Sequence, residues 1–308
     1  IKQQFMRPDE SIRQIGFQES DMVSCFKPVT KYSVMVTKPE DIKYQLEKCI
    51  HVMKSGRPGP VHIDIPIDIQ KAMIVPEELL GYDCELESDC YNFALVEKQA
   101  RQFLSDIKKA KRPVLMIGGG VRLSSAEKDI LELGHLLKIP IYPTYNALDI
   151  ICADYEYYCG KIGTYGGEGR NFGIQNSDLL LAIGSRISGR ITGGNIHSFA
   201  RGAKKYVVDV DKAGLQKKLQ QVPFEECILC DAKIFIKMLC DLLKKDKDFN
   251  ADIYNDWLEK CIGWKEKYAT VTAEMFEPKK YVHPYAFLRI LSEEMTKDDI
   301  LVTDCGGN

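Results

Sequence analysis

Arg112-Pro113-Val114-Leu115-Met116-Ile117-Gly118-Gly119-Gly120 is the stretch that decides the architecture. An unbroken apolar run opened by a proline and closed by glycines predicts a strand buried on both faces, because a strand with one wet face alternates apolar with polar residues. Such a strand requires helices over both sides of its sheet. The flanks supply them. Upstream, Val96 to about Lys109 has helical periodicity. Downstream, a second helix is expected from about Ser125 to Lys138, with Ser124 and Glu127 spaced as a capping box at its start. Short apolar runs then recur at Ile139 to Thr144, Asp178 to Gly184 and Tyr206 to Asp211, separated by polar or helical segments. Strands alternating with helices of ten to fifteen residues define an α/β domain built on a doubly wound, Rossmann-like parallel sheet. This central domain is expected over 92–245.

Partial α/β units are expected on either side. Ile42, Leu46, Ile50 and Met53 recur at helical spacing between Glu40 and Ser55 and place one apolar face on a helix that Gly56 ends. Arg57-Pro58-Gly59-Pro60 forms a turn, and Val61 to Ile65 forms a strand stopped by Pro66. These belong to a unit over 1–75, followed by an acidic linker without periodicity over 76–91. Beyond Cys230-Asp231 the chain is helical and polar, with a helical linker over 246–280. Over 281–308 a helix from Pro284 to Met295 leads into an expected strand, Ile300 to Thr303.

Composition narrows the function. The 308 residues suggest about two domains. With 45% hydrophobic and 28% charged residues and a net charge of −2, the chain is globular rather than disordered or membrane-spanning. No basic stripe argues for nucleic acid, since Lys244, Lys245 and Lys247 are interleaved with Asp246 and Asp248 as on a solvated helix end. Eleven irregularly spaced cysteines suit reduced thiols in the cytoplasm better than a disulfide framework. The absence of an initiator methionine, and an end at Gly306-Gly307-Asn308 just after the expected strand, suggest a segment of a longer protein.

Parallel sheets bind ligands at the carboxyl ends of their strands, which fixes where chemistry is sought. Gly118, Gly119 and Gly120 serve either a phosphate or only a tight turn. Arg186 and Arg190 clamp a diphosphate or pair with acidic neighbours. Asp209 and Asp211 hold a ribose or cap a turn. Cys227-x-x-Cys230 lacks a second pair for zinc and reads as packing, and His51, His62, His135, His197 and His283 form no metal spacing, so no metal ligands are assigned.

Further motifs carry a family resemblance: Gly16-Phe17-Gln18-Glu19, Lys27 to Tyr32, Ser55 to Val61 running into Asp64 to Gln70, Asn176 to Leu181, and Asp209-Val210-Asp211. In this order the chain resembles the thiamine-diphosphate-dependent enzymes of the acetolactate synthase type. The resemblance implies the end of a pyrimidine-binding domain, a whole central domain and the start of a diphosphate-binding domain. It places the family's activating glutamate before Ile1 and its Gly-Asp-Gly motif after Asn308. It implies thiamine diphosphate and Mg2+ as cofactors, a small 2-keto acid as substrate, decarboxylation or carboligation as the reaction, and a homodimer or homotetramer. Phe17 and Gln18 would line the substrate end, and Gly306 and Asn308 the thiamine diphosphate edge. Gly118, Gly119, Gly120, Thr144, Gly184, Arg186, Arg190, Asp209 and Asp211 would hold FAD or ADP in the central domain. Four departures bear on that nucleotide: Gly214 and Cys230 stand where the family has a glutamate and a glycine, and two more lie elsewhere. Arg186-Ile187-Ser188-Gly189-Arg190 stands where the family has Arg-Phe-Asp-Asp-Arg, and Glu78 is expected where the family has an arginine that contacts flavin. The alternative is a nucleotide-binding or structural module without catalysis.

Overall fold

The computed structural model describes residues 6–9, 11–17, 19–83, 91–164, 166–216, 222–277 and 280–303. Gln18, Gly306 and Asn308 lie outside the described residues. The first unit contains α1 (Met22–Phe26), β1 (Tyr32–Met35), α2 (Ile42–Lys54), β2 (Val61–Asp64) and α3 (Ile67–Gln70). Strands β1 and β2 pair in parallel, Tyr32 opposite Val61 through Met35 opposite Asp64.

The central unit runs α4 (Phe93–Ile107), β3 (Pro113–Ile117), α5 (Gly120–Leu123), α6 (Glu127–Leu137), β4 (Ile141–Pro143), α7 (Glu168–Gln175), β5 (Leu179–Ile183), α8 (Gly189–Thr192), β6 (Lys204–Asp209), β7 (Glu226–Leu229), α9 (Ala232–Lys245) and α10 (Asn255–Lys267). The last helix, α11, spans Pro284–Glu294. The five strands of the central unit are parallel in the order β4-β3-β5-β6-β7. From β3 the chain builds outward to β4, then returns to β5 and builds the other way. Between β3 and β5 the strand order therefore reverses, which is where open α/β sheets form a crevice.

The strand pleat sorts the core into two layers. Leu115, Ile117, Leu181 and Ile183 face Phe103 of α4, Leu133 of α6 and Phe235 and Leu239 of α9. Val114, Met116, Leu180 and Ala182 turn the other way, onto the layer that contains Ile174 of α7 and Trp257 and Cys261 of α10. Successive residues of β3 and β5 are all buried because each face has its own helical cover. Polar pins hold the layers: the Trp257 indole N–H donates to the Pro113 carbonyl of β3 at 3.1 Å, and the Tyr254 hydroxyl to that of Ile107, at the end of α4, at 2.6 Å.

Two sequence expectations need correction. The Ser124–Glu127 capping box does not form. Ser124 ends the short α5, its hydroxyl donates back to the Val121 carbonyl at 2.9 Å, and Ser125 takes a left-handed φ of 54°, so Ala126 becomes the N-cap of α6. Residues Ile300 to Thr303 are not a strand among the described residues, because no neighbouring strand supplies hydrogen-bond partners. Leu288 and Ile290 of α11, like Leu46 and Ile50 of α2, remain substantially exposed. No helix among the described residues is long and apolar enough to cross a membrane.

Candidate nucleotide site at the strand ends

The three glycines after β3 are required by a neighbouring chain crossing. A Cβ on Gly118 would lie 2.2 Å from the Gly184 carbonyl oxygen, and one on Gly120 would lie 2.6 Å from the Gly184 Cα. Gly184 itself has a φ of 63°, a conformation that costs any L side chain. The loops after β3 and β5 thus touch backbone to backbone, fixed by hydrogen bonds from Gly118 N to the Ile183 carbonyl and from Gly120 N to the Gly184 carbonyl. Local packing alone explains Gly118, Gly120 and Gly184, so the turn reading holds for them whether or not a phosphate binds.

The same crossing leaves a floor without side chains, and above it lies a cavity of about 630 Å³. Its volume is within the range of small-molecule sites. Every strand of the large sheet contributes the residues that follow it: Gly118–Gly120 after β3, Thr144 to Asn146 after β4, Gly184 to Ser188 after β5, Asp209 and Val210 at the end of β6, and Cys230 to Ala232 after β7. Eight of the nine expected nucleotide residues line it. The ninth, Asp211, lies beside it: one of its carboxylate oxygens is 3.4 Å from the Arg57 guanidinium, and the other accepts from Gly214 N at 3.0 Å.

Arg186 and Arg190 both line the cavity with exposed side chains, and among the described residues neither has an ion-pair partner. Of the two readings open from sequence, the clamp geometry is available and pairing with acidic neighbours is not observed. The Asp209 carboxyl is pushed above its ordinary value by burial, reinforced by the charge of Asp211 and opposed by the backbone hydrogen bonds of Asp211 and Val210 and the charge of Arg57. It accepts from Asp211 N at 3.0 Å, so it both holds the turn and faces the cavity. Asp231 caps α9 by accepting from Lys233 N at 2.8 Å and Ile234 N at 3.3 Å. Burial pushes the Cys230 thiol up to about 12, consistent with packing rather than thiolate chemistry.

Sequence reasoning missed the contribution of the first unit. Lys54, Arg57 and Pro58, from the end of α2 and the turn before β2, line the cavity, whereas Glu78 does not. The arginine that reaches the site from outside the central domain is therefore Arg57. Its signal was present in Ser55-Gly56-Arg57-Pro58-Gly59-Pro60, but only the tertiary fold brings that turn to the end of β6, 154 residues along the chain at Asp211. Phe17 is not among the cavity residues and is 87% exposed, which excludes a core role for it in this chain. Among the described residues no group of three or more His, Cys, Asp or Glu could hold a metal ion.

Comparison with known proteins bears on what such a cavity serves. The family profile described as "Thiamine pyrophosphate enzyme, central domain" matches residues 100–239, the stretch holding all five strands of the large sheet. The chain is 31% identical over 320 residues to a probable acetolactate synthase large subunit of Methanococcus aeolicus, covering 98% of this chain and 51% of that protein. Over residues 100–239 the chain is a thiamine pyrophosphate enzyme central domain. It is also similar to the acetolactate synthase large subunit of Corynebacterium glutamicum, 33% identical over 94% of this chain and 45% of the relative. It is 32% identical to the acetolactate synthase isozyme 2 large subunit of Escherichia coli K12, over 94% of this chain and 49% of the relative. The chain spans about half the length of these curated relatives. Its doubly wound sheet is the central domain of a thiamine pyrophosphate enzyme, and the likeness continues into the units on either side.

Proposed function

We propose that the chain is part of a thiamine-diphosphate-dependent, acetolactate-synthase-like carboligase or decarboxylase acting on a small 2-keto acid, and that its strand-end cavity holds an adenine nucleotide, FAD or ADP. The observation that carries the second part is the convergence of Gly118–Gly120, Arg186, Arg190 and Asp209 on one cavity. Arg186 and Arg190 would bind the diphosphate over the glycine floor, where no side chain keeps the backbone away. Asp209 would accept from a ribose hydroxyl. Arg57 would close the site from the first unit, with its charge shared between the ligand and Asp211.

Activity is proposed from the relatives, which are named acetolactate synthases over nearly the whole of this chain. Thiamine diphosphate, when bound with Mg2+, supplies the carbanion-stabilising chemistry that releases carbon dioxide from a 2-keto acid. No described residue is assigned to the magnesium. Phe17, exposed and free of the cavity, is proposed with Gln18 to line the substrate, and Gly306 and Asn308 to edge the thiamine diphosphate. The active assembly is proposed to be a cytoplasmic homodimer or homotetramer. The full-length protein is to be incubated with pyruvate and other small 2-keto acids, thiamine diphosphate and Mg2+, the 308-residue chain by itself being expected to be inactive. Carbon dioxide release is expected, and its absence with every keto acid would overturn the proposal. The non-catalytic alternative is not favoured by any of these comparisons.

A further inference from the structure

Lys48, on α2, directs its charge at three aromatic rings. Its ammonium lies 5.1 Å from the centroid of Tyr32, 5.7 Å from that of Tyr44 and 5.8 Å from that of Tyr82. Every other cation so placed among the described residues, such as Lys260 over Trp264, faces a single ring. Lys48 has no ion-pair partner among the described residues, so the rings are what its charge meets. Burial raises the Tyr32 hydroxyl above its ordinary value, and the Lys48 charge opposes that rise. An ammonium at these distances is attracted by the negative face of each ring, and more strongly where the site is partly desolvated.

The three rings come from three parts of the chain. Tyr32 opens β1, Tyr44 lies one turn before Lys48 on α2, and Tyr82 lies in the linker, after the 3-10 turn Pro76–Glu78. Residues four apart share a helix face, so α2 presents Tyr44 with Lys48 and, beside them, Glu47 with His51. Tyr82 uses both rows. Its ring packs edge to face on Tyr44 at 5.4 Å and tilts against His51 at 5.5 Å, and its backbone N–H donates to the Glu47 carboxylate at 2.7 Å. Gly81 permits this approach, since a Cβ there would lie 2.7 Å from the same carboxylate oxygen. Tyr32 is held in turn by its hydroxyl, which donates to the Gln45 side-chain oxygen at 2.8 Å.

Tyr32 and Tyr44 are fixed by the strand and helix that carry them, whereas Tyr82 belongs to a segment without regular structure of its own beyond one short turn. We propose that Lys48 is a positioning residue whose charge clasps the linker to α2, and so sets where the chain leaves the first unit on its way to the central domain. Both sides of the clasp lead to the cavity: α2 ends at Lys54 and the linker at Tyr91, and both line it. The clasp does not depend on what the cavity holds. It does depend on a cation. Arginine would satisfy the rings by stacking its guanidinium, while methionine, of similar helix propensity, keeps an unbranched stem without the charge.

Hydrogen exchange followed by mass spectrometry on the full-length protein tests the clasp, because Glu78, Leu79 and Tyr82 carry hydrogen-bonded amides in the linker. Lys48→Met is expected to speed exchange over 76–83 by about two- to thirty-fold, the range to which cation–π attraction corresponds, and to leave α2 over 42–54 within about two-fold of wild type. Lys48→Arg is expected to exchange as the wild type does. Tyr82→Leu removes the ring from the linker and leaves α2 untouched, and is expected to match Lys48→Met once each rate is referred to the intrinsic rate of its own sequence. Unchanged exchange over 76–83 in Lys48→Met, equal acceleration over both segments, or a Lys48→Arg variant as fast as Lys48→Met overturns the inference. Each of these outcomes leaves the nucleotide reading of the cavity standing.

Discussion

Replacing Gly118 by alanine isolates the packing role of the glycine crossing from any role in ligand binding. The added Cβ would sit 2.2 Å from the Gly184 carbonyl oxygen and 2.7 Å from the Ser185 Cα, both backbone atoms that cannot rotate away. Relief requires the loops after β3 and β5 to separate, which stretches the Gly118-to-Ile183 and Gly120-to-Gly184 hydrogen bonds, now 2.9 and 3.0 Å. Overpacking of this kind costs about 1 to 3 kcal/mol, and weakening two hydrogen bonds, one of them only partly buried, adds about 1 kcal/mol more. We expect Gly118→Ala to destabilise by about 3 kcal/mol, which lowers the midpoint of thermal unfolding by roughly 6 to 12 °C for a domain of this size. Gly194→Ala is the control, because nothing lies within 4 Å of the position its added methyl would take. Its expected change is under about 0.5 kcal/mol. Circular dichroism melts and urea titrations without nucleotide read both variants. If Gly118→Ala unfolds within about 0.5 kcal/mol of wild type, the crossing is not as tight as these distances imply, and the glycines must be explained by a ligand instead.

Two further outcomes follow from the buried polar groups. Burial alone would raise the Asp106 carboxyl, but hydrogen bonds from Lys204, Tyr206 and Gln102 outweigh it and hold the group below its ordinary value. A depressed carboxylate contributes stability above the unfolded-state value near pH 4 and loses it as pH falls through the folded value. Asp106→Asn is therefore expected to cost about 1 to 2 kcal/mol at pH 7, with the gap from wild type narrowing toward pH 3 in urea titrations; a gap that widens on acidification would contradict the assignment. In the second layer the Tyr142 hydroxyl is buried beside the Cys159 and Cys261 thiols, which are weak partners, and a Cβ on Gly173 would strike it at 1.8 Å. Gly173→Ala is expected to destabilise by more than about 2 kcal/mol, and Tyr142→Phe to be neutral and to recover part of that loss when combined with it. Strict additivity in the double-mutant cycle would refute the contact.

The central domain is legible in the sequence because its strands are short apolar runs punctuated by glycine and proline, with both faces buried. The reading places Pro113 to Ile117 to the residue, and β5 and β6 to within about two. What fails depends on partners. Tyr32–Met35 is only four half-buried residues, so its strand is made by pairing with Val61–Asp64 and carries little pattern of its own. Ile300 to Thr303 has strand-like composition and no partner among the described residues. Ser124 and Glu127 have capping spacing, but the unforeseen turn of α5 absorbs Ser124. Of the cavity lining, the residues that follow strands lie where the topology of a parallel sheet puts them, whereas Lys54 and Arg57 require the docking of one unit on another. Neither Arg186 nor Arg190 has an acidic partner among the described residues, which spacing could not reveal.

The most direct test of the account is the affinity of the cavity for an adenine nucleotide before and after Arg186 and Arg190 are removed. Neither side chain is part of the core, so Arg186→Ala/Arg190→Ala should leave the unfolding midpoint unchanged. Loss of two sets of charge-assisted hydrogen bonds predicts at least about a hundred-fold weaker binding of ADP by calorimetry. Equal affinity in the wild type and the double variant would contradict the assignment of the strand-end cavity as the nucleotide site.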